Sequence, residues 1–190
     1  MARIRGTAIR GLLRAVKERG WSIPAVVAAV RAQSQPSFAK QILVSDFYPY
    51  TAFADLMAAI EQVHGGAGPG VVRGLARDGA KRDLGSTFKI LLSLASMEFV
   101  VQRAQVMWAR HCDTGQCVAV GYSPTGYEGE VRGLPDIDPL HCLYLEGWLE
   151  GLAEGLGAEE ARTTHSRCVH RGDPVCGYTT TWTRLRRIFG

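Results

Sequence analysis

The chain has 190 residues, 46% of them hydrophobic and 21% charged, with a formal net charge of +4. That length buries a core unaided, and no apolar run approaches the ~18 residues of a bilayer-spanning helix, so no membrane span is expected. The basic residues are scattered apart from Arg184, Arg186 and Arg187. No Lys/Arg stripe alternates with aromatics, which argues against direct nucleic-acid binding.

The N-terminal stretch MARIRGTAIRGLLRAVKERG is charged throughout and lacks an apolar signal core, so a cytoplasmic location is expected. Within it, Ile9, Leu12, Leu13 and Val16 fall at helical spacing opposite Arg10, Arg14 and Lys17, the pattern of an amphipathic surface helix. A short helix is expected over 23–32, then QSQPS as a loop. The segment 48–63 is helical by period, with Phe53, Leu56, Ala59 and Ile60 on one face. HGGAGPG at 64–70 ends it as a turn: it has neither the order nor the preceding strand of a phosphate-binding loop. A further helix is expected over 71–83. A long central one follows over 86–111, carrying Phe88, Leu91, Leu92, Ala95, Phe99, Val101 and Trp108 with hardly any polar face.

The period then changes from 3.6 to 2. Residues 116–122 and 127–132 flank SPTG and form an antiparallel hairpin. Asp138 before Pro139 marks a helix start, with a capping side chain ahead of proline at the first helical position. That helix carries Glu146, Glu150 and Glu154 in one row and Gly147, Gly151 and Gly155 in another. Glycines at that spacing admit another backbone at close range, so something must pack there. A last hairpin pairs 160–169 with 176–183 around HRGDP.

Cys142, His165, Cys168 and Cys176 occur as C-x22-H-x2-C-x7-C. Three thiolates and an imidazole make a tetrahedral zinc set with no position left for water, which implies a structural metal and not a catalytic one. Five cysteines, in a reducing compartment, fit thiols or ligands better than disulfides. A regular strand points His165 and Cys168 to opposite faces, so a bulge or a strand end is required between them. The bland alternative is three buried thiols and a surface histidine. Cys112 and Cys117 read as core or edge residues, or as a half-site with His111. His64, His141 and His170 read as solvent-facing, with His141 and His170 the substitutes for His165.

The stretch CLYLEGWLEGLAEGLGAEEARTTHSRCVHRGDPVCGY resembles the C-terminal half of the 4-vinyl reductase-type domain, the small-molecule sensor at the front of phenol-responsive bacterial activators. In that family a cysteine precedes a helix with a glycine-rich face and a C-x7-C pair follows, with an acidic ligand three residues ahead of the pair. Cys142, Cys168 and Cys176 match, and His165 stands where glutamate is usual. The same superfamily is similar in overall fold to TRAPP tethering subunits and haem nitric oxide sensors. No ATPase domain or DNA-binding helix pair follows the matching stretch, so an activator role is not carried over.

The sequence thus predicts an α+β fold: a helical N-terminal part (1–65), then a ligand-binding part (66–190) on a small antiparallel sheet stapled by zinc, the two possibly continuous. The expected role is a non-enzymatic sensor for a small hydrophobic molecule, aromatic or acyl, acting as a homodimer or through a regulatory partner. The expected pocket lies between the 86–111 helix and the first hairpin, lined by Ser96, Phe99, Gln102, Met107, Trp108 and Tyr122. The alternatives are a dimeric scaffold or tethering subunit, and an accessory factor in tetrapyrrole metabolism.

Overall fold

The computed structural model describes residues 1–66, 70–86, 96–134 and 136–186, with the backbone alone at 83–86. The architecture is α+β, with helices enclosing one face of an antiparallel sheet.

Strand β1 (Arg3–Arg5) pairs with β2 (Phe47–Pro49) and leads directly into α1 (Gly6–Glu18). Ile9, Leu12 and Val16 of α1 are buried as their spacing requires, and Arg10, Arg14 and Lys17 face outward. Helix α2 (Ile23–Ala29) is followed at Ala32–Phe38 by a 3-10 turn where a loop was expected. The Gln35 side-chain amide explains the difference, since it donates to the Val27 and Val30 carbonyls at 2.8 Å each. The Val30 carbonyl just past α2 gains its partner this way, and the Val27 carbonyl, already met by the Val30 N–H at 3.1 Å, gains a second, so the turn is pulled in against the helix end.

Helix α3 (Tyr50–His64) buries Phe53, Leu56, Ala59 and Ile60 together. Of the expected turn at 64–70, residues 67–69 lie outside the described residues. Helix α4 (Val71–Ser86) follows. The single helix expected over 86–111 is not what forms. Its Phe88, Leu91, Leu92 and Ala95 lie outside the described residues. The remainder is two short helices, α5 (Met97–Val101) and α6 (Ala104–His111). Ser96 starts α5 by accepting the Phe99 N–H at 3.2 Å, a cap that a serine favours over a mid-helix position.

The sheet has the order β3 (Gln116–Ser123), β4 (Gly126–Arg132), β7 (Cys176–Thr181), β6 (Arg162–Arg167), antiparallel throughout. Two shorter strands, β5 (Ala158–Glu159) and β8 (Arg184–Leu185), pair beside it. Between the hairpins runs α7 (Pro139–Gly155), started by Asp138, whose carboxylate accepts the Leu140 N–H at 2.8 Å.

The glycine row of α7 meets α4 backbone to backbone: a Cβ at Gly147 would collide with the Arg73 carbonyl, and one at Gly151 with that of Arg77. Beside this seam a ladder of charges closes. Arg73 reaches Glu150 at 2.6 Å, Arg77 reaches Glu150 at 3.2 Å and also pairs with Glu154, and Lys81 reaches Glu154 at 2.5 Å. The main core runs from Ile4 through α1, α3 and α4 to Tyr178, and a smaller one gathers Met97, Tyr127, Leu152 and Trp182. Ile4 also bridges to Cys112 at the end of α6. The Asp113 carboxylate accepts the Arg3 main-chain N–H at 2.8 Å and its guanidinium at 2.7 Å.

Candidate functional site

Two places in this fold gather chemically distinctive side chains. The first lies where the start of α7 meets the mouth of the β6–β7 hairpin. Cys142 occupies the first turn of α7, Cys176 opens β7, and Cys168 follows β6, its N–H held at 2.7 Å by the Asp173 carboxylate. The β6–β7 register shifts between His165 and Arg167, which is the irregularity that lets His165 and Cys168 turn to one side. One donor atom from each of Cys142, His165, Cys168 and Cys176 lies within 4.8 Å of all the others, a group that can hold a metal ion. The Cys142 and Cys176 sulfurs are 3.8 Å apart. The hydrogen bond between them draws the Cys176 thiol down and pushes that of Cys142 up. The His165 ring stacks on Tyr178 at 4.6 Å, and its Nε2 is buried without a hydrogen-bond partner.

Cys112 and Cys117 lie apart from this cluster, their thiols raised by burial to about 12 and about 11, so both stay protonated. Among the described residues no second group of three ligands forms around them.

The second place is a partly open apolar cavity of about 160 Å³ between α1, α6, the β3–β4 hairpin and α7, with Phe53 of α3 and Val100 and Val101 of α5 also at its wall. Met107 and Trp108 line it. Ser96 caps α5, Phe99 is 45% exposed beneath the Arg103 guanidinium, Gln102 is exposed, and Tyr122 on the edge strand β3 is exposed as well. Among the lining residues that the sequence did not point to, α7 contributes His141, Tyr144, Leu145, Trp148 and Leu152. Their spacing of three and four residues was the available signal, masked by the acidic and glycine rows interleaved with it.

His141 corrects a sequence expectation. Read there as solvent-facing, it is 3% exposed, stacked 6.1 Å from Trp108 and met edge-on by Phe53 at 5.4 Å. Burial lowers its pKa to about 3, so the imidazole is neutral. Its Nδ1 lies 2.9 Å from the Tyr50 hydroxyl, which also accepts the Asp138 N–H at 2.9 Å. Burial raises the Tyr50 pKa far above its ordinary value, so this phenol keeps its one proton. Asp138 N–H is itself a donor, which leaves Nδ1 as the acceptor of that proton. The proton on the ring is then on Nε2, which takes no partner among the described residues. Elsewhere in the wall Trp108 Nε1 donates to the Thr114 carbonyl at 3.0 Å and the Tyr127 hydroxyl to that of Leu149 at 3.1 Å.

No protein-family model and no curated protein matches this chain. Solved structures do share its fold. An H-NOX protein from S. oneidensis, in its Fe(II) ligation state, superposes with a TM-score of 0.74 at 12% identity, covering 98% of this chain and 100% of that one. An H-NOX structure from work on haem distortion in that family gives 0.66 at 11%, with 96% of each chain covered. An oxygen-binding H-NOX domain related to soluble guanylate cyclases also gives 0.66 at 11%, over 95% of this chain and 96% of that one. The expected likeness to haem nitric oxide sensors is therefore present in the fold.

These neighbours also correct the expectation of zinc as structural cofactor. The solved structures that share the fold hold ferrous iron or haem, and none of those described above is a zinc protein by name. The wall meets haem in one respect. His111 borders the cavity with Nδ1 3.0 Å from the Met107 carbonyl, so Nδ1 carries the proton and Nε2 keeps the lone pair that an iron ligand needs. In other respects the described residues do not fit it. None of the described lining residues is a Lys or Arg that could meet a haem's carboxylates, His141 Nε2 carries a proton and offers iron no lone pair, and about 160 Å³ falls short of the ~300–1,000 Å³ that drug-sized ligands take, while a haem is larger than those.

Proposed function

We propose that this chain is a non-catalytic sensor domain that takes a small hydrophobic molecule into the cavity between α1, α6, α7 and the β3–β4 hairpin and reports occupancy to a regulatory partner. The observation that carries the reading is the cavity itself: a partly open apolar space with aromatic walls, lined from several separate elements whose relative positions an occupant would set. No helix among the described residues is long and apolar enough to cross a membrane. Mass spectrometry of an organic extract of the purified protein tests this directly. A stoichiometric apolar compound is expected. A clean extract, with no quenching of Trp108 or Trp148 fluorescence by added aromatic compounds, would count against it.

A second reading, in which the bound group is haem, is favoured by the shared H-NOX fold and by the tautomer of His111. It requires the wall to open further than it does here. A Soret band in protein expressed with haem supplementation, lost in His111→Ala, would bring it ahead of the first.

Cys142, His165, Cys168 and Cys176 we assign a separate role, as a metal-ion cluster that ties the start of α7 to the last hairpin; elemental analysis identifies the ion. Segments 1–65 and 66–190 contribute to the same main core, which supports treating them as one folding unit.

A further inference from the structure

The polar anchor of the cavity is legible from its hydrogen bonds, and it restricts what can bind there; this step rests on the cavity being the ligand site. The chain of donors is Asp138 N–H to Tyr50 Oη, then Tyr50 O–H to His141 Nδ1. Reversing the second bond would aim Nδ1–H and Asp138 N–H at the same phenol oxygen and leave the phenol proton without an acceptor, at a cost of ~1–3 kcal/mol for a buried group. The backbone amide at the start of α7 thus fixes the orientation of the phenol, and the phenol fixes the tautomer of the histidine. Stacking on Trp108 and the edge contact of Phe53 hold the ring in place.

We infer that Tyr50 and His141 form a fixed relay that presents one N–H donor, His141 Nε2–H, to the occupant of the cavity. The ligand class is accordingly a small uncharged apolar molecule with one hydrogen-bond acceptor, such as a ketone or aldehyde carbonyl. Anions are disfavoured. No Lys or Arg is among the described lining residues, and the Glu128 carboxylate stands at the wall. A carboxylate would enter without a counter-charge, which a low-dielectric cavity does not tolerate. Pure hydrocarbons fit by shape but leave Nε2–H unsatisfied.

Binding of acetophenone, ethylbenzene and benzoate, matched in size, tests the inference by calorimetry or tryptophan quenching. Acetophenone is expected to bind about fivefold more tightly than ethylbenzene, the worth of one hydrogen bond, with benzoate unbound. In His141→Phe the two neutral compounds should bind alike. Tyr50→Phe, which lets the ring take either tautomer, should narrow the preference and serves if His141→Phe does not fold. The 15N shifts of His141 in the unliganded protein give an independent readout, with a protonated Nε2 and an acceptor Nδ1 expected. Equal binding of acetophenone and ethylbenzene by the wild type, or a protonated Nδ1, would overturn the relay and leave the cavity as an apolar site. Failure of all three compounds to bind overturns both.

Discussion

Helix α7 has two faces that differ in almost every physical respect. Towards α4 it has no room: Gly147 and Gly151 bring backbone against backbone, and Glu150, 5% exposed, is held by Arg73, Arg77 and the Thr163 N–H at 3.1 Å. Towards α1 and α6 it carries large side chains and still leaves about 160 Å³ unfilled. Protein interiors are ordinarily packed as densely as organic crystals, so unfilled space beside a seam this tight is a property of the site and not of loose folding. One face fixes where the helix stands, and the other is free to hold something.

Substitutions can break that contrast, starting with the seam. Gly151→Leu forces a side chain into the Arg77 main chain, where no rotamer relieves the collision. A loss at or beyond the upper end of the ~1–3 kcal/mol typical of overpacking is expected in denaturant unfolding. Glu150→Ala should cost about 2 kcal/mol, because it leaves the Thr163 N–H and part of the Arg73 and Arg77 charge without a partner; the two guanidiniums remain partly solvated, which limits the loss. On the cavity side the same kind of change should have the opposite sign. Gly11 lies within α1 at the cavity wall, and a Cβ there meets nothing within 4 Å. Gly11→Ala should raise stability by ~0.5–1 kcal/mol through helix propensity alone, measured as a shift in Tm. A destabilised Gly11→Ala would show that the space is not there.

The smallest effect concerns Glu130, on the sheet beyond both faces. Hydrogen bonds from Arg167 at 2.5 Å and Arg132 at 2.6 Å hold its carboxyl below the usual carboxylate range. A depressed folded-state pKa gives stability that is present above the unfolded value of ~4.3 and lost as pH falls through the folded one. Glu130→Gln should therefore show a shallower acid limb than the parent below pH ~4.3 and near-parallel behaviour at higher pH. Thermal melts across that range decide it.

What the sequence made legible was whatever a single element decides for itself. The stripe of α1, the face of α3 around Phe53 and the Asp138–Pro139 start of α7 are local patterns, and each sits where its spacing puts it. Even the irregularity between His165 and Cys168 was readable, because a period of two cannot point both inward. The convergence of the four cysteine and histidine ligands was likewise legible, whereas the ion assigned to them was not, because spacing specifies donor atoms and the fold's neighbours carry another cofactor. His141 was misplaced for a different reason. Whether a histidine in a first turn meets water or Trp108 depends on where α6 comes to rest, and α6 is separated from α7 by a whole hairpin. The start of α5 turns on Ser96, a residue whose hydroxyl serves a helix start as well as a polar spot in a long helix.

The clasp between Arg3 and Asp113 has a mechanical consequence. Asp113 follows the end of α6; Arg3 belongs to β1, whose partner β2 runs straight into Tyr50, and Tyr50 holds both the start of α7 and His141. The connections therefore close on themselves like a hoop around the cavity, passing from α6 through two short strands to α7. Anything that widens the hoop on one side draws on the opposite side. A guest lodged against Trp108 would thus be felt some distance away at the first strand of the chain, on the outer surface, where another molecule can read it.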